Sequence, residues 1–358
     1  MEALSFLRAI VAGAIVLGVL VLVHEWGHFI AAKLCGVRVD VFSIGFGNRL
    51  WGVKRGDTDY RISALPLGGY VRMAGDNPVE ERTGAPYEFL SRPRWQRFLI
   101  AIAGPAMNIL VTLLIFWGIF SLVRVPYMPP TIDQVQAGSA ADKGGLKDGD
   151  AILSIDGKSV KTLAESIAAI RSSHGSPTQF LVGRDGKNLS LTVSPLYEKA
   201  PDGNQNWMIG ATIFEAQESR APEGLIGGAR HAVQETIYDT RQIGQVLVGL
   251  FSGKVSVHDL AGPVGIVQLS GEAAKSGPMT LLELTAAISL NLGLLNLLPI
   301  PILDGGHVLM LAIEGLLRRE LSITFKERFV QVGLVFLLSV FAFVMYSDIL
   351  RVIQTHGR

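Results

Sequence analysis

Charge is scarce in this chain: of 358 residues only 18% are charged, against about a quarter in an ordinary soluble domain. Neither sign is in excess, since 32 Lys and Arg face 31 Asp and Glu for a net charge of +1. No global field exists to attract polyanions, so a nucleic-acid partner is not expected. Cysteine is nearly absent. The single Cys35 permits no intramolecular disulfide and no cysteine-built zinc site, so any metal must be held by histidine and carboxylate. What is abundant is apolar residues, 49% of the chain, together with 40 glycines. That composition excludes a disordered chain and leaves room for a membrane body plus one modest soluble module.

A bilayer core about 30 Å thick requires about 20 mostly apolar residues in helix, and four stretches approach or meet this. The first runs from about Leu4 to Ala32, uninterrupted from Ala9 to Val23, and then carries His24, Glu25 and His28. It has no convincing small-residue cleavage site, so it reads as a retained helix rather than a signal peptide. The second spans 98–123, with Gly104, Pro105 and Asn108 inside it. The third, about Leu281 to Leu317, is too long for one straight span and is interrupted by Asn296, Pro299, Pro301, Asp304, Gly305 and Gly306, which predicts a broken helix. The fourth, 329–349, is plainly apolar. Residues 36–97 hold 10 Lys and Arg, whereas the much longer 131–280 holds 13. The basic bias, with Arg318, Arg319, Lys326 and Arg328 between spans three and four, predicts cytoplasmic placement for 36–97 and 318–328. Both termini and the 131–280 region are then extracytoplasmic.

His24-Glu25-Trp26-Gly27-His28 is the H-E-x-x-H pattern, whose imidazoles lie on one helical face and can share a zinc ion while the glutamate accepts a proton from water. Titratable residues deep in an apolar helix are costly and point to a functional site. Catalytic zinc takes about three protein ligands and keeps one position open. Asp304, His307 and Glu314 of the third stretch are the candidates for the remaining ligand. Asp304 follows two prolines and precedes two glycines, so its carboxylate can be aimed at a neighbouring helix; capping the resumed helix is its alternative role.

Taken with these residues, further segments resemble a known family: Phe42-Ser43-Ile44-Gly45-Phe46-Gly47, Pro66-Leu67-Gly68-Gly69-Tyr70, Ala103-Gly104-Pro105 with Asn108, Ala261-Gly262-Pro263-Val264-Gly265-Ile266, and Asn291 through Asn296 to Leu303-Asp304-Gly305-Gly306. They resemble the site-2 protease class of intramembrane zinc metalloproteases, of the bacterial regulator-of-sigma-E protease type, over nearly the whole chain. The resemblance implies Zn2+ on His24, His28 and Asp304, Glu25 as catalytic base, and substrate handling by Asn291 and Asn296. An unwound substrate exposes backbone groups that lipid cannot satisfy and that amide side chains can. Interhelical hydrogen bonding is the alternative for both asparagines.

Residues 37–73 alternate apolar and polar side chains between glycines and read as short hairpins. The family places a β-loop here that dips toward the active site, so Gly45, Phe46 and Gly47 are expected to meet substrate. From 126 to 197 the pattern changes to short strands around one helix, Leu163 to Ser172. Gly144-Gly145-Leu146, Gly149-Asp150 and Ile152 to Gly157 resemble a PDZ domain, which either filters substrates by size or binds a peptide terminus by strand addition. Relatives often carry two such modules, and this chain has room for one. Residues 198–280 are expected to be linker and amphipathic helix, with a helical apolar stripe over 222–251.

The fold class expected is therefore a multi-pass α-helical membrane protein with four spans, the third broken, a cytoplasmic-side β-hairpin loop and an inserted extracytoplasmic PDZ-like α+β domain. The partners expected are the lipid bilayer of the bacterial inner membrane and single-pass membrane protein substrates of the anti-sigma-factor type or remnant signal peptides. A non-proteolytic scaffold with a closed, structural metal site is the rival, and a zinc transporter a remoter one.

Overall fold

The computed structural model describes residues 2–77, 83–123, 125–127, 129–199, 205–215, 218–254 and 262–356, and the chain forms two compact units, 1–121 with 225–358, and 122–224. The first unit begins with helix α1, Glu2–Leu34. It ends where Gly36 turns left-handed at φ 70°. There Val37 N–H reaches back to Ala32 O at 2.8 Å and Gly36 N–H to Lys33 O at 3.0 Å, the close that a C-terminal glycine permits.

Strands β1, Val39–Arg55, and β2, Thr58–Met73, follow. The pair closes as a hairpin between Arg55 and Thr58, as expected of this stretch, but each strand bends, so the hairpin folds back across itself. Residues 39–46 pair antiparallel with 65–73 and run alongside 59–62 in the same direction, while 49–55 close antiparallel on 58–63. The arms therefore lie in the order 65–73, 39–46, 58–63, 49–55, with 65–73 at one edge. Gly45, at φ 88°, lets the first strand bend where a Cβ would stand 2.6 Å from Leu65 O. Beyond the sheet, residues 83–91 gather around buried Glu88, which accepts the Thr83 hydroxyl at 2.6 Å and the N–H groups of Thr83 and Gly84 at 3.0 and 3.1 Å. Helix α2, Arg94–Leu122, then runs through Pro105. It packs closely on α1, because a Cβ at Gly27 would collide with Ala103 O.

The second unit is α+β. Strand β3, Val125–Tyr127, leads into β4, Pro130–Val135, the short helix α3, Ala140–Lys143, strands β5, Ala151–Ile155, and β6, Lys158–Ser159, helix α4, Leu163–Ser172, and strands β7, Thr178–Arg184, and β8, Lys187–Val193. Four more strands complete it: β9, Leu196–Lys199, β10, Gln205–Met208, β11, Ala211–Glu215, and β12, Glu218–Arg220. Thr162 starts α4 by accepting Glu165 N–H at 3.2 Å, a Ser/Thr cap with its glutamate three residues on. Asp185 and Gly186, both at positive φ, make the tight turn that two antiparallel strands favour. The main sheet has the order β11-β4-β5-β7-β8, with β6 off β5. Ile132, Ile152, Ile155, Phe180, Val182 and Val193 fill its core.

This unit runs past the expected end at 197. Without β11, strand β4 would present an open edge, and pairing across it brings 211–215 into the sheet. Gln205–Met208, Ala211–Glu215 and Glu218–Arg220 are thus strand rather than linker, and among the described residues helices resume at α5, Gly224–Phe251.

Within the first unit, α5 is followed by α6, Pro263–Ser276, α7, Pro278–Asn296, α8, Asp304–Leu317, and α9, Ile323–His356. Among the described residues four helical stretches are long and apolar enough to cross a membrane: Arg8–Leu34, Arg94–Leu122, Pro278–Asn296 and Ile323–Asp348. The expected third stretch is divided into α7 and α8, and only α7 meets that length. Ala261 of the expected Ala261-to-Ile266 motif lies outside the described residues. Gly262 and Gly265 donate their N–H groups to Asp348 of α9 at 3.1 and 3.0 Å, a carboxylate cap on α6. Gly271 and Gly13 let α6 approach α1 at Ala9 and Val267, as small residues do between membrane helices.

Two outcomes follow. Asp150 is fully buried and takes both its ion-pair bonds from Arg184, at 2.6 Å each. Arg184→Met is expected to strand that carboxylate and destabilise residues 122–224 by about 2–3 kcal/mol, measured by pulse proteolysis in urea. The Thr83 hydroxyl, with the Thr83 and Gly84 N–H groups, holds the Glu88 carboxyl below its ordinary value of 4.5 against the opposing effect of burial. A depressed folded value means stabilisation present above the unfolded value and lost as pH falls through the folded one. The stability advantage of wild type over Glu88→Gln should be constant near neutrality and shrink on acidification below about pH 4.5; an advantage that grows with acid would refute it.

Candidate metal centre

His24 and His28 leave α1 on one face, four residues apart, and are buried against α2. That helix supplies the wall behind them from one stripe of buried residues that includes Ile100, Gly104 and Asn108. His28 Nδ1–H donates to Ile100 O at 2.7 Å. Asn108 Nδ2 stands 3.3 Å from His24 Nδ1, and its Oδ1 has no hydrogen-bond partner. The opposite amide orientation puts that oxygen on His24 Nδ1–H. Both rings then hold their proton on Nδ1 and present the Nε2 lone pair outward. The rings meet edge to face, with centroids 4.9 Å apart.

Asp304 arrives from α8. Leu303, not Asp304, occupies the N-cap position, and no side chain caps that helix, so the capping alternative does not describe this aspartate. Its carboxylate goes to the histidines instead: Oδ2 lies 3.0 Å from His24 Nε2 and Oδ1 3.3 Å from His28 Nε2. The chain reaches this position through a strained turn. Ile302 has φ 80°, an outlier for a β-branched residue that costs about 1–3 kcal/mol and occurs mainly at functional sites. Gly305 and Gly306 leave space for the carbonyls of Leu297, Leu298 and Ile300, and Gly333 of α9 leaves space for Pro301.

The donor set suits one divalent cation. His24, His28 and Asp304 each offer a ligand atom, all within 4.8 Å of one another. The two Nε2 atoms are 3.2 Å apart. Bonds of about 2.0–2.2 Å at tetrahedral angles separate neighbouring ligand atoms by about 3.3–3.5 Å, close to what these side chains already hold. With both Nδ1 protons turned to α2, two lone pairs and a carboxylate face one another, an arrangement that a cation satisfies. Gly104 is part of the cradle, because a Cβ there would run into His28 Nε2 and lie 2.8 Å from His24 Nε2.

Glu25 belongs to none of these ligations. Its Oε2 accepts the N–H of Val71, on the edge arm 65–73, at 3.1 Å. It opens with His24, His28 and Asp304 onto a cavity of about 390 Å³ whose wall includes Val71, Met73, Phe89, Asn296 and His307. Asn296 is thus brought to the cavity. Asn291 is exposed on α7, bonded to Ala287 O at 3.0 Å, and is absent from that wall. Gly45, Phe46 and Gly47 also lie outside it, at the bend of β1, where Phe46 stacks on Tyr70 with centroids 5.9 Å apart. The nonlocal pairing of the arms decides this placement. Of the three candidates for the third ligand, Asp304 lies with the histidine pair, His307 faces the cavity outside that cluster, and Glu314 is ion-paired elsewhere. Sequence reasoning assigned no role to Asn108 as a ring partner, although a lone amide in an apolar span was signal enough to seek one.

The model of Peptidase family M50 matches residues 12–340. The chain belongs to peptidase family M50. Similar chains include zinc metalloprotease RasP of Geobacillus kaustophilus, 31% identical over 96% of this chain and 98% of that one. A candidate zinc metalloprotease of Mesorhizobium japonicum is 34% identical over 96% and 99%. A solved PDZ domain of the SdrC-like protein of Listeria monocytogenes also matches, with a TM-score of 0.22 and 26% identity, covering 25% of this chain and 93% of that domain. This M50 chain is a zinc metalloendopeptidase of the site-2 protease type.

Gly104→Ala should abolish metal retention in the M50 chain while its spans still insert. Asn108→Ala should weaken zinc binding about 10–100-fold through the lost ring partner. Both are checked by zinc content of the purified protein under chelator competition, and wild-type retention by Gly104→Ala would contradict the cradle.

Proposed function

We propose that the protein hydrolyses peptide bonds within the membrane-spanning segments of single-pass membrane proteins, anti-sigma-factor-type substrates and remnant signal peptides among them. The observation that carries this reading is the convergence of His24 and His28, from a helix of membrane-spanning character, with Asp304 of the shorter α8, beside a Glu25 that shares their cavity. Zinc, when bound there, acidifies a water and polarises the scissile carbonyl. Glu25 is held through one oxygen by Val71 N–H and keeps the other to take the water's proton and return it to the leaving nitrogen. A set of three protein ligands leaves a position for that water, unlike the closed four-ligand sites of structural zinc, and this disfavours the scaffold reading.

The remaining roles follow from the substrate's chemistry. A cleavable segment must be unwound, and Asn296 on the cavity wall offers donor and acceptor to its backbone. Edge arm 65–73 carries the Glu25 contact, so an extended segment added along it would be delivered to the base. Asn291 and the Gly45-Phe46-Gly47 bend engage the substrate outside the cavity. Residues 122–224 act as a PDZ-like domain that excludes substrates with bulky ectodomains, with capture of a peptide terminus as its alternative. The bias of basic residues supports a bacterial inner-membrane orientation with the site toward the cytoplasm and both termini and residues 122–224 outside.

The test is cleavage of a single-pass substrate with a shortened extracytoplasmic part by purified protein in detergent. Glu25→Gln is expected to lower the rate about 10²–10⁴-fold with zinc retained, and a chelator to abolish cleavage reversibly. Equal cleavage by wild type and Glu25→Gln would sink the proposal.

A further inference from the structure

Glu314 stands in α8 ten residues beyond Asp304, about 15 Å along the helix. It is 1% exposed. Lys326 Nζ lies 2.7 Å from its Oε1, which also accepts Leu321 N–H at 3.2 Å. Arg97 Nη2 lies 3.7 Å from its Oε2. Both cations are themselves buried, Arg97 at 4% and Lys326 at 9% exposure. Charges so enclosed are costly unless paired, and in an apolar helix they are kept for a purpose. Hydrolysis as derived above uses none of the three.

The elements they join suggest that purpose. Arg97, in the first turn of α2, begins the same buried stripe that presents Ile100 O, Gly104 and Asn108 to the histidine rings. Glu314 sits in the helix whose first residue is the third ligand. Lys326 is in the first turn of α9, which also meets the strained turn before Asp304 through Gly333 and Pro301. With Ile302 at φ 80°, the local chain does not rest in a relaxed conformation that would by itself hold Asp304 in place. Metal centres tolerate displacements of only about 0.5 Å in their ligands.

We propose that Glu314, through Arg97 and Lys326, is a positioning residue that sets α8 along α2 and thereby places the Asp304 carboxylate against His24 and His28. This rests on the reading that those three residues hold zinc. It assigns to the buried ion cluster a role in metal affinity and geometry, exerted from about 15 Å away, in addition to any role in stability.

The test uses the full-length protein purified in detergent, with three readouts: zinc affinity by chelator competition, the visible absorption of the cobalt(II)-substituted protein, and thermal stability of the metal-free form. Glu314→Gln is expected to weaken zinc binding about tenfold or more, a loss comparable to that of ligand-orienting partners. It should also weaken the intense cobalt bands of four-coordinate geometry. Lys326→Met should shift both in the same direction, and Glu314→Asp should fall between. The exposed carboxylate control Glu320→Gln should leave both unchanged. Wild-type affinity and an unaltered cobalt spectrum in Glu314→Gln, with only metal-free stability lowered, would make the cluster merely structural and overturn the proposal. Should Glu314→Gln fail to accumulate, Glu314→Asp carries the test: it keeps the charge and shortens the reach, and wild-type zinc affinity in that variant overturns it equally. Absence of zinc binding by wild type is a separate outcome, and it would overturn the metal reading itself.

Discussion

Two imidazole lone pairs and a carboxylate, gathered among apolar helices, repel one another unless a cation lies between them. The closeness of His24, His28 and Asp304 is therefore the arrangement the rest of the first unit has to support. Helix α1 brings its pair by helical spacing alone. The wall of α2 fixes the rings through Ile100 O and Asn108 and gives up a side chain at Gly104 so that they can approach. The interrupted segment before α8 accepts a strained Ile302 so that Asp304 can face the rings rather than cap its own helix.

The same constraint explains where glycines and buried charges sit. Gly27, Gly104, Gly305, Gly306 and Gly333 each stand where another group of the bundle passes too close for a Cβ. Asp348 caps α6, and Glu314 joins α8 to α2 and α9. In lipid, unsatisfied backbone and charge have no water to turn to, so each finds an internal partner. The edge arm 65–73 follows this economy, since its Val71 N–H is given to Glu25.

Some of this was legible in the sequence because its physics is local. H-E-x-x-H needs only helical periodicity, and the four apolar stretches need only length and composition. Helix α4, the turn at Asp185-Gly186 and strand β7 follow from capping, positive φ and alternation within a few residues. What was not legible is nonlocal. Residues 59–62 run parallel to 39–46 only because two bent strands fold across one another. Strand β11 joins β4 across more than seventy intervening residues, which is why a boundary drawn from turn signals stopped short at 197.

The site divides along the same line. Sequence alone determined that a histidine pair with a neighbouring glutamate lies in an apolar helix, and it offered Asp304, His307 and Glu314 of the interrupted stretch as candidates for a further ligand, the family resemblance pointing to Asp304. The tertiary structure gathers Asp304 with the histidine pair and leaves His307 and Glu314 outside that cluster, because the outcome depends on which side of α8 faces α1 and which faces α2 and α9. It likewise decided that Asn296 reaches the cavity while Asn291 and the Gly45-Phe46-Gly47 bend do not. Periodicity states which residues share a face. It does not state what that face meets, and the chemistry of a metal centre is settled by what meets across several helices within a few ångströms.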